Sequence, residues 1–328
     1  MNVLVCGGAG YVGSHTVAEL CERGYGVIVA DNLSKGHREA VWEGARFFEG
    51  DVRDEGFLEK VFTENKIDAV IDFAAFSIVP ESVEDPIKYF ENNTAGTINL
   101  LKKMVKHNAL LFIFSSTASV YGRPESAPIT ESAPLNPMNP YGESKLMVER
   151  MMRWCEAAYG LKYVCLRYFN VAGAHISGRI GEDHNPETHL IPLVLKAIEE
   201  ERRFQLYGTD YDTEDGTCVR DYIHATDLAD AHILSLEKLC SGGESSVYNL
   251  GNGKGFSNRQ VIDAAERLTG RKAMIENRER RPGDPDTLIA SSEKIMNELN
   301  WRPKYGGLEV IMETAYRWHS AHPGGFHS

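Results

Sequence analysis

Several features that mark secreted, metal-binding and membrane proteins are missing from this sequence of 328 residues. Its six cysteines form no C-x-x-C pair, which argues against a disulfide framework and against a zinc site built on cysteine. No apolar run is long enough to cross a membrane, and no signal peptide precedes the first strand pattern. Positive charge is scarce, with 35 Lys and Arg against 47 Asp and Glu and a net charge of -12. We therefore expect a soluble cytoplasmic protein that binds neither nucleic acid nor a membrane.

A glycine-rich turn lies close to the start of the chain, with the sequence Gly7-Gly8-Ala9-Gly10-Tyr11-Val12-Gly13. The preceding residues 2–6 are typical of a short buried strand, and residues 12–22 are typical of a helix. Glycines between a strand and a helix let the backbone approach a pyrophosphate at the helix N-terminus. The pattern therefore predicts a dinucleotide site at this turn.

A second strand pattern, residues 27–31, ends in the carboxylate of Asp31. This residue follows the glycine turn at about the distance expected for an acidic partner of a ribose hydroxyl. A carboxylate at that position would repel a 2′-phosphate, so the sequence favours NAD over NADP.

Strand and helix patterns alternate through the first half of the chain. Residues 69–75, 110–115 and 163–168 are strand-like, and residues 92–106 and 145–159 are helical in spacing. Apolar strands separated by helices predict an α/β fold with a Rossmann-like, doubly wound parallel sheet. We assign residues 1–170 to a NAD-binding Rossmann domain and residues 171–328 mainly to a smaller C-terminal α/β substrate-binding domain. Segments within 223–250, at 223–224 and 247–250, are expected to return to the first sheet.

Tyr141 and Lys145 are four residues apart and share one face of a predicted helix. A nearby ammonium favours a phenolate, whose ordinary pKa of about 10 it lowers by about one to three units. Such a pair is common on helix surfaces without any function. Here, however, Ser115-Ser116-Thr117 ends a strand pattern upstream of it. This order predicts a hydroxyl, a phenol and an ammonium around one nicotinamide.

The chain resembles the extended short-chain dehydrogenase/reductase superfamily and, within it, the UDP-glucose 4-epimerase (UDP-galactose 4-epimerase) family. The resemblance covers essentially the whole chain, and its ordered set of motifs is highly specific. The matching stretches are 7–15, 31–33, 114–116, 141–145, 166–170, 181–183, 214–217, 220–224, 248–251 and 281–284.

This resemblance implies an isomerase that interconverts UDP-glucose and UDP-galactose, with UDP-GlcNAc and UDP-GalNAc as an additional expected pair. Tyr141 removes the proton of the sugar 4-hydroxyl while hydride leaves C4 for tightly bound NAD. The 4-keto sugar then turns over beneath its UDP anchor and takes the hydride back on its other face. Thr117 orients or shuttles the proton, and Lys145 lowers the pKa of Tyr141. The family also implies a homodimer.

The family's functional positions carry over to this sequence residue by residue. The implied catalytic residues are Thr117, Tyr141 and Lys145. The implied cofactor-binding residues are Gly7, Gly10, Tyr11, Val12, Gly13, Asp31, Asn32, Asp51, Val52, Phe73, Ala74, Ala75, Asn92, Ser115, Tyr141, Lys145 and Tyr168. The implied substrate-binding residues are Thr117, Tyr141, Asn170, His189, Leu190, Gln205, Tyr207, Arg220, Tyr222, Arg281, Asp284 and Leu288. No metal is expected, because the acidic and histidine residues of the 182–189 loop have no recognised zinc spacing.

Three positions depart from patterns seen in the family. Thr117 stands where many members have Ser, Ser77 where some have a cofactor-contacting Lys, and Leu288 where some have a bulky Tyr beside the sugar. Related 4,6-dehydratases carry Asp-Glu directly after the hydroxyl residue, whereas this chain has Ala118-Ser119, which cannot protonate a leaving 6-hydroxyl. Two alternatives stay open: another NAD-dependent nucleotide-sugar epimerase or dehydratase, and a non-catalytic NAD-binding regulatory protein.

Overall fold

Strands and helices alternate along the first half of the chain in the computed structural model, which describes residues 1–124, 126–281 and 284–327. The strands of this half are β1 (Asn2–Cys6), β2 (Gly26–Asp31), β3 (Arg46–Glu49), β4 (Ala69–Asp72), β5 (Leu111–Thr117) and β6 (Lys162–Tyr168). The helices are α1 (Tyr11–Glu22), α2 (Glu55–Glu64), α3 (Val79–Glu84), α4 (Pro86–Tyr89), α5 (Gly96–Lys106) and α6 (Pro140–Tyr159). A π-helical turn, Phe90–Ala95, joins α4 to α5.

The second half has shorter strands and longer connections. Its strands are β7 (Asn170–Ala172), β8 (Arg203–Tyr207), β9 (Val219–His224), β10 (Ser246–Leu250), β11 (Gly255–Ser257), β12 (Met274–Arg278) and β13 (Thr287–Leu288). Its helices are α7 (Leu190–Glu199), α8 (Ala225–Cys240), α9 (Asn258–Thr269), α10 (Glu293–Leu299) and α11 (Leu308–Ala321). None of the helices described here is long and apolar enough to cross a membrane.

Seven strands form one sheet in the order β10-β6-β5-β4-β1-β2-β3. Every pairing in this sheet is parallel. One apolar core covers it with side chains of α1 and α8, and a second core covers the other face with side chains of α2, α5 and α6. The doubly wound parallel sheet expected from the sequence is therefore confirmed.

The strand order reverses at β1, which lies between β2 and β4. Crossover connections leave on opposite sides of the sheet at such a point, so a crevice opens beyond the carboxyl ends of the two strands. The glycine turn that follows β1 lies at this crevice.

Two small sheets and a third apolar core organise most of the second half. In the first sheet β9 pairs with β7, β11 and β13, and in the second β8 pairs with β12. Helices α7, α9 and α11 supply much of the core that packs against these strands.

Of the two segments expected to return to the large sheet, residues 247–250 lie in it, as part of β10. Residues 223–224 do not, because β9 pairs within the small sheet; the chain returns to the large sheet only after them, through α8.

Two element boundaries concern the site. The strand predicted at 69–75 ends at Asp72, because the Asp72 Oδ1 accepts a hydrogen bond from the Ala74 N–H at 3.0 Å and turns the chain. The amphipathic pattern of residues 145–159 is part of a longer helix that begins at Pro140, where the Asn139 side chain caps it by accepting from the Gly142 N–H at 2.8 Å. This start places Tyr141 in the first helical turn, on the same helix as Lys145, as the spacing of the two residues predicts.

Candidate active site

The turn between β1 and α1 requires glycine at two positions. Gly7 has a φ of +73°, and a β-carbon there would meet the Ala74 backbone nitrogen at 2.8 Å. A β-carbon on Gly13 would collide with the Gly7 carbonyl. Gly10 is different: apart from its chain neighbours, a β-carbon there would meet only the Gly7 oxygen, at 3.4 Å, among the described residues. Gly10 is the N-cap residue of α1, and no side chain accepts a hydrogen bond from the first N–H groups of this helix. The turn therefore leaves open space beside N–H donors that a ligand can use.

A cavity of about 90 Å³ adjoins this turn. Nine of the expected cofactor residues line it: Gly7, Gly10, Asp31, Asn32, Val52, Phe73, Ala74, Ala75 and Asn92. The cavity is also lined by Lys35, Gly36 and Gly50, which were not predicted from the sequence. A dinucleotide needs close approach of its pyrophosphate to the backbone, N–H donors for the phosphate oxygens and an acceptor for a ribose hydroxyl. The glycine turn, the N–H groups at the start of α1 and the Asp31 carboxylate fit these three needs.

The backbone holds the Asp31 carboxylate in place. Its Oδ2 accepts from the Ala9 N–H at 2.9 Å and its Oδ1 from the Leu33 N–H at 2.8 Å. Burial raises the pKa of Asp31, and these two hydrogen bonds counteract that rise. Each oxygen keeps a second lone pair, so the carboxylate can still accept from a ribose hydroxyl.

Other expected cofactor residues are engaged with protein groups. The Asn32 amide donates to the Asp51 carboxylate at 2.8 Å, and the Arg53 guanidinium beside Asp51 holds the pKa of that carboxyl well below its usual range. The Tyr11 hydroxyl donates to the Gly173 carbonyl at 2.5 Å and so ties α1 to the loop after β7. Neither Asp51 nor Tyr11 lines the cavity, and the same is true of Val12, Gly13, Ser115, Tyr141, Lys145 and Tyr168 within the described residues.

The structure brings Thr117 and Tyr141 together at the carboxyl end of β5. The Thr117 Oγ1 accepts from the Ser119 N–H at 3.1 Å, which leaves its own proton to donate to the Tyr141 oxygen. Lys145 is buried, and its ammonium donates to the Ser115 carbonyl at 2.8 Å. The Ser115 and Tyr168 hydroxyls are hydrogen-bonded to each other where β5 and β6 end. Strand ends and the first turns of α6 thus assemble these side chains.

The titration of Tyr141 differs from the expectation that Lys145 lowers its pKa. Burial raises the pKa of Tyr141, and the hydrogen bond from Thr117 is the interaction that lowers it. Lys145 is itself affected: burial lowers its pKa to about 8, although the Asp72 carboxylate raises it. The Lys145 ammonium donates its hydrogen bond to the Ser115 carbonyl, and the charge that acts on it is that of Asp72. Burial therefore remains the main effect on Tyr141, and it favours the neutral phenol.

A buried ion pair between Arg167 and Glu149 lies beside the end of β5, and it was not predicted from the sequence. Arg167 contacts Glu149 at 2.5 Å, Glu149 accepts from the Ser116 hydroxyl at 2.5 Å, and the Arg167 guanidinium donates to the Tyr121 hydroxyl at 2.9 Å. The signal in the sequence is the spacing: Glu149 follows Lys145 by four residues and so lies on the same helix face.

A second cavity, of about 540 Å³, lies in the other half of the molecule. Nine of the expected substrate residues line it: Asn170, His189, Leu190, Gln205, Tyr207, Arg220, Tyr222, Arg281 and Asp284. Phe204 and Cys218 line it too but were not named from the sequence, since an apolar pocket wall resembles any core pattern.

Two arginines lie on this second cavity in different environments. The Arg220 Nη2 contacts the Asp284 Oδ1 at 2.5 Å, and the Tyr211 hydroxyl donates to the other oxygen of Asp284 at 3.4 Å. The Arg281 guanidinium lies over the Tyr207 ring, 4.4 Å from its centroid. Two guanidinium groups on one cavity suit a diphosphate, because each offers a planar fork of donors. Residues 282 and 283 of this motif lie outside the described residues.

Thr117, Tyr141 and Leu288 are expected substrate residues that do not line the described part of the larger cavity. Leu288 lies in β13 in register with Arg220 and packs against a small apolar cluster that includes Val120 and Phe169. Leu288 therefore contacts the apolar cluster that contains Val120, three residues beyond Thr117, and is also paired in register with Arg220.

Comparisons with known proteins agree with this arrangement. Residues 3–251 match the NAD dependent epimerase/dehydratase family. The UDP-glucose 4-epimerase of Lacticaseibacillus casei is 54% identical over 327 residues, covering 99% of both chains. A crystal structure of a UDP-glucose 4-epimerase has a TM-score of 0.97 at 49% identity, covering 99% of both chains. The Bifidobacterium longum UDP-glucose 4-epimerase, solved in complex with NAD⁺ and UDP, has a TM-score of 0.93 at 42% identity, covering 99% of this chain and 100% of that chain.

Proposed function

The chain belongs to the NAD dependent epimerase/dehydratase family, and on that premise we propose that it interconverts UDP-glucose and UDP-galactose. The observation that carries this proposal is the combination in one chain of a glycine-cradled cavity, a second cavity bearing two arginines, and Thr117 and Tyr141 placed at the end of β5 and the start of α6. NAD is the cofactor, and when bound it would supply the reversible hydride acceptor that inversion at C4 of the sugar requires.

Tyr141 serves as the acid/base group. It accepts the proton of the sugar 4-hydroxyl in one half of the reaction and returns a proton in the other. Thr117 favours the phenolate that the first half requires, because its hydrogen bond lowers the pKa of Tyr141 against the effect of burial. The hydrogen bond from Lys145 to the Ser115 carbonyl fixes the ammonium beside the end of β5, where we expect it to bind the nicotinamide ribose.

The remaining cofactor contacts follow from the smaller cavity. The open N–H donors of α1 hold the pyrophosphate, and Asp31 accepts from a ribose hydroxyl. Since Asp31 is fixed by two backbone donors, it cannot swing away from a 2′-phosphate, and this supports a preference for NAD over NADP.

The uridine diphosphate group belongs in the larger cavity. Arg220 and Arg281 pair with the diphosphate, and Asp284 keeps Arg220 in position through its ion pair. Leu288 lies beside the sugar and, being smaller than Tyr, leaves space for an N-acetyl group. We therefore propose UDP-GlcNAc and UDP-GalNAc as a second substrate pair.

The test is an assay of the purified chain without added NAD. We expect UDP-glucose and UDP-galactose to reach the same final mixture from either side, and denatured protein to release about one NAD per chain. A protein that carries NAD but converts neither sugar would contradict the proposal and would favour the non-catalytic alternative.

We further propose a homodimer, in which an apolar patch on α3, α4 and α6 is covered by a second copy. This patch is Val83, Ile87, Met147 and Trp154, and the Trp154 side chain is 76% exposed. Helix α6 contacts both α3 and α4, so these exposed apolar residues lie on neighbouring helices. Light scattering should give twice the chain mass for the wild type and one chain mass for Trp154→Glu. The control Ile176→Glu, at an exposed apolar residue elsewhere, should stay dimeric.

We propose that α8 and β10 belong with residues 1–170 in the NAD-binding domain and that most of residues 171–328 form the substrate-binding domain. The apolar cores support this division, since α8 packs on the large sheet whereas α7, α9 and α11 pack on the small ones. We also propose a cytoplasmic location, which is supported by the six cysteines, all described and all free thiols.

A further inference from the structure

Four side chains with metal-ligating atoms converge in the loop between β7 and α7. They are Glu182, His184, Glu187 and His189, and one ligand atom of each lies within 4.8 Å of the others. Glu182 is buried, with a side chain 4% exposed. The Glu187 Oε1 accepts from the N–H groups of Thr188 and His189 at 2.7 and 2.8 Å, which fixes its carboxylate. Two of the four side chains are therefore fixed by the fold, Glu182 by burial and Glu187 by backbone donors, whereas the His189 side chain is 50% exposed.

The nitrogen–oxygen separations in the cluster, which involve both oxygens of Glu187, are close to those of ligands around a small cation. The Glu182 Oε1 lies 3.3 Å from the His184 Nδ1 and 2.7 Å from the His189 Nδ1. A Glu187 oxygen lies 3.6 Å from the His184 Nδ1 and another lies 3.3 Å from the His189 Nδ1. A tetrahedral ion with bonds of 2.0–2.1 Å separates its ligands by about 3.3–3.4 Å. Three of these four separations lie within about 0.3 Å of that value.

Two of the converging atoms have ion-pair contacts but no well-aligned hydrogen bond. The Glu182 Oε1 and the His184 Nδ1 are buried, and although the Glu182 Oε1 lies 2.7 Å from the His189 Nδ1, neither atom makes a well-aligned hydrogen bond to any residue that the structure describes. A buried carboxylate oxygen without a hydrogen bond is costly, so its place in the centre of the cluster needs an explanation. A cation bound between the four atoms supplies one.

We propose that Glu182, His184, Glu187 and His189 bind one divalent transition-metal ion, with zinc as the best fit. Two imidazoles and two carboxylates suit zinc, whereas calcium and magnesium prefer an all-oxygen set. All four positions are filled by the protein, so the site is structural and leaves no place for a reacting water.

The position of the cluster indicates what the ion does. Glu182 and His189 line the larger cavity, and the His184 ring packs edge-on to the Tyr11 ring of α1, with centroids 5.9 Å apart. The ion therefore fixes the loop that forms one wall of the larger cavity and holds that loop against the helix of the glycine turn.

A metal-free alternative is a network of ion pairs between protonated histidines and the two carboxylates. Burial opposes a charge on His189, but Glu182 and Glu187 raise its pKa to about 10, so such a network is electrostatically possible. It would also make no use of the near-tetrahedral spacing, and it would leave the contacts of Glu182 poorly aligned. Metal content separates the two alternatives.

The experiment is elemental analysis of the full chain, purified with its NAD and without a polyhistidine tag or chelator. We expect about one zinc per chain in the wild type, and zinc binding weakened more than about 100-fold in His184→Ala and Glu187→Gln. Glu22→Gln is the matched control. It alters a second acidic and histidine group, formed by Glu19, Glu22 and His175, and should retain the metal.

Two further measurements keep the result clear where a variant folds poorly. Chelation should lower the Tm of the wild type and zinc should restore it, and Co²⁺ loaded in place of zinc should give the visible absorption of tetrahedral coordination. The proposal is overturned if the wild type holds no metal even after dialysis against micromolar zinc. It is equally overturned if His184→Ala and Glu187→Gln bind zinc as tightly as the wild type. None of these readouts depends on the proposed sugar reaction.

Discussion

The two cavities of this protein are built by different means. Backbone geometry forms the smaller one: Gly7 and Gly13 have no room for a side chain, and main-chain N–H groups hold Asp31. Side-chain interactions form the larger one, where Arg220 pairs with Asp284 across strands of the small sheet and a loop. The first cavity therefore depends on backbone geometry, including the close approach of Ala74 to Gly7, whereas the second depends on pairs of side chains from distant segments.

Thr117 and Tyr141 lie where β5 of the large sheet ends and α6 begins. We propose that Tyr141 moves the proton, so its substitution should give the largest loss of kcat. We expect Tyr141→Phe to lower kcat by about 10²- to 10⁴-fold, the usual range for an acid/base group. Bound NAD and the Tm should change little, because only the hydroxyl is removed. Tyr159→Phe, at the exposed end of α6, is the control. A Tyr141→Phe variant that keeps the wild-type rate would mean that another residue is the base.

The second largest effect should come from Asp31→Ala, which tests the backbone-built cavity. The variant loses an ionic hydrogen bond to ribose, worth about 1.5–3 kcal/mol, and leaves the N–H groups of Ala9 and Leu33 without their acceptor. We expect weaker NAD binding, a smaller preference over NADP and a lower Tm. Cofactor titration and thermal unfolding measure these changes. An unchanged preference would place the selectivity in the 32–38 loop instead.

A smaller effect should follow from Arg220→Lys in the side-chain-built cavity. Lysine keeps the charge but loses the planar fork that pairs with Asp284 and the diphosphate. We expect KM for UDP-glucose to rise about tenfold with kcat less affected, since about 1.4 kcal/mol corresponds to one hydrogen bond to a charged group. Arg278→Lys, at an exposed ion pair, should behave as the wild type. A change in kcat alone would contradict a binding role.

The smallest effect concerns Leu288, which we propose to determine the choice of sugar rather than the turnover rate. We expect the wild type to act on UDP-GlcNAc as well as UDP-glucose, and Leu288→Tyr to reduce the first activity several-fold more than the second. Steady-state assays of both sugars on both proteins decide this. Absence of any wild-type activity on the acetylated sugar would show that neighbouring groups such as His189 close the space.

The same contrast explains what the sequence could predict. The glycine turn, the carboxylate that ends β2 and the parallel strands depend on residues adjacent in the chain, and all three are found in the structure. Residues 223–224 were wrongly expected in the large sheet, because an apolar strand pattern does not indicate which sheet it joins. The placement of Lys145 relative to Tyr141 shows a related difference between local and distant determinants. A helix spacing gives proximity, but the direction of the Lys145 ammonium depends on Ser115, 30 residues away.

The cluster at 182–189 marks the limit of reasoning from motifs. Its spacing matches no recognised zinc pattern, so motif reasoning predicts no metal there. The loop conformation brings the Glu182 Oε1 and the His189 Nδ1 to 2.7 Å from each other, and the spacing of a strand or a helix would not predict this contact.

The central claim is that a hydride leaves C4 and returns to the same carbon within one bound complex. UDP-glucose carrying deuterium at C4 tests this most directly, with the UDP-galactose product analysed by mass spectrometry and NMR. The account predicts that the deuterium is retained at C4 with inverted configuration and that none is exchanged with solvent. Loss of the deuterium to water, or incorporation of solvent hydrogen at C4, would contradict it.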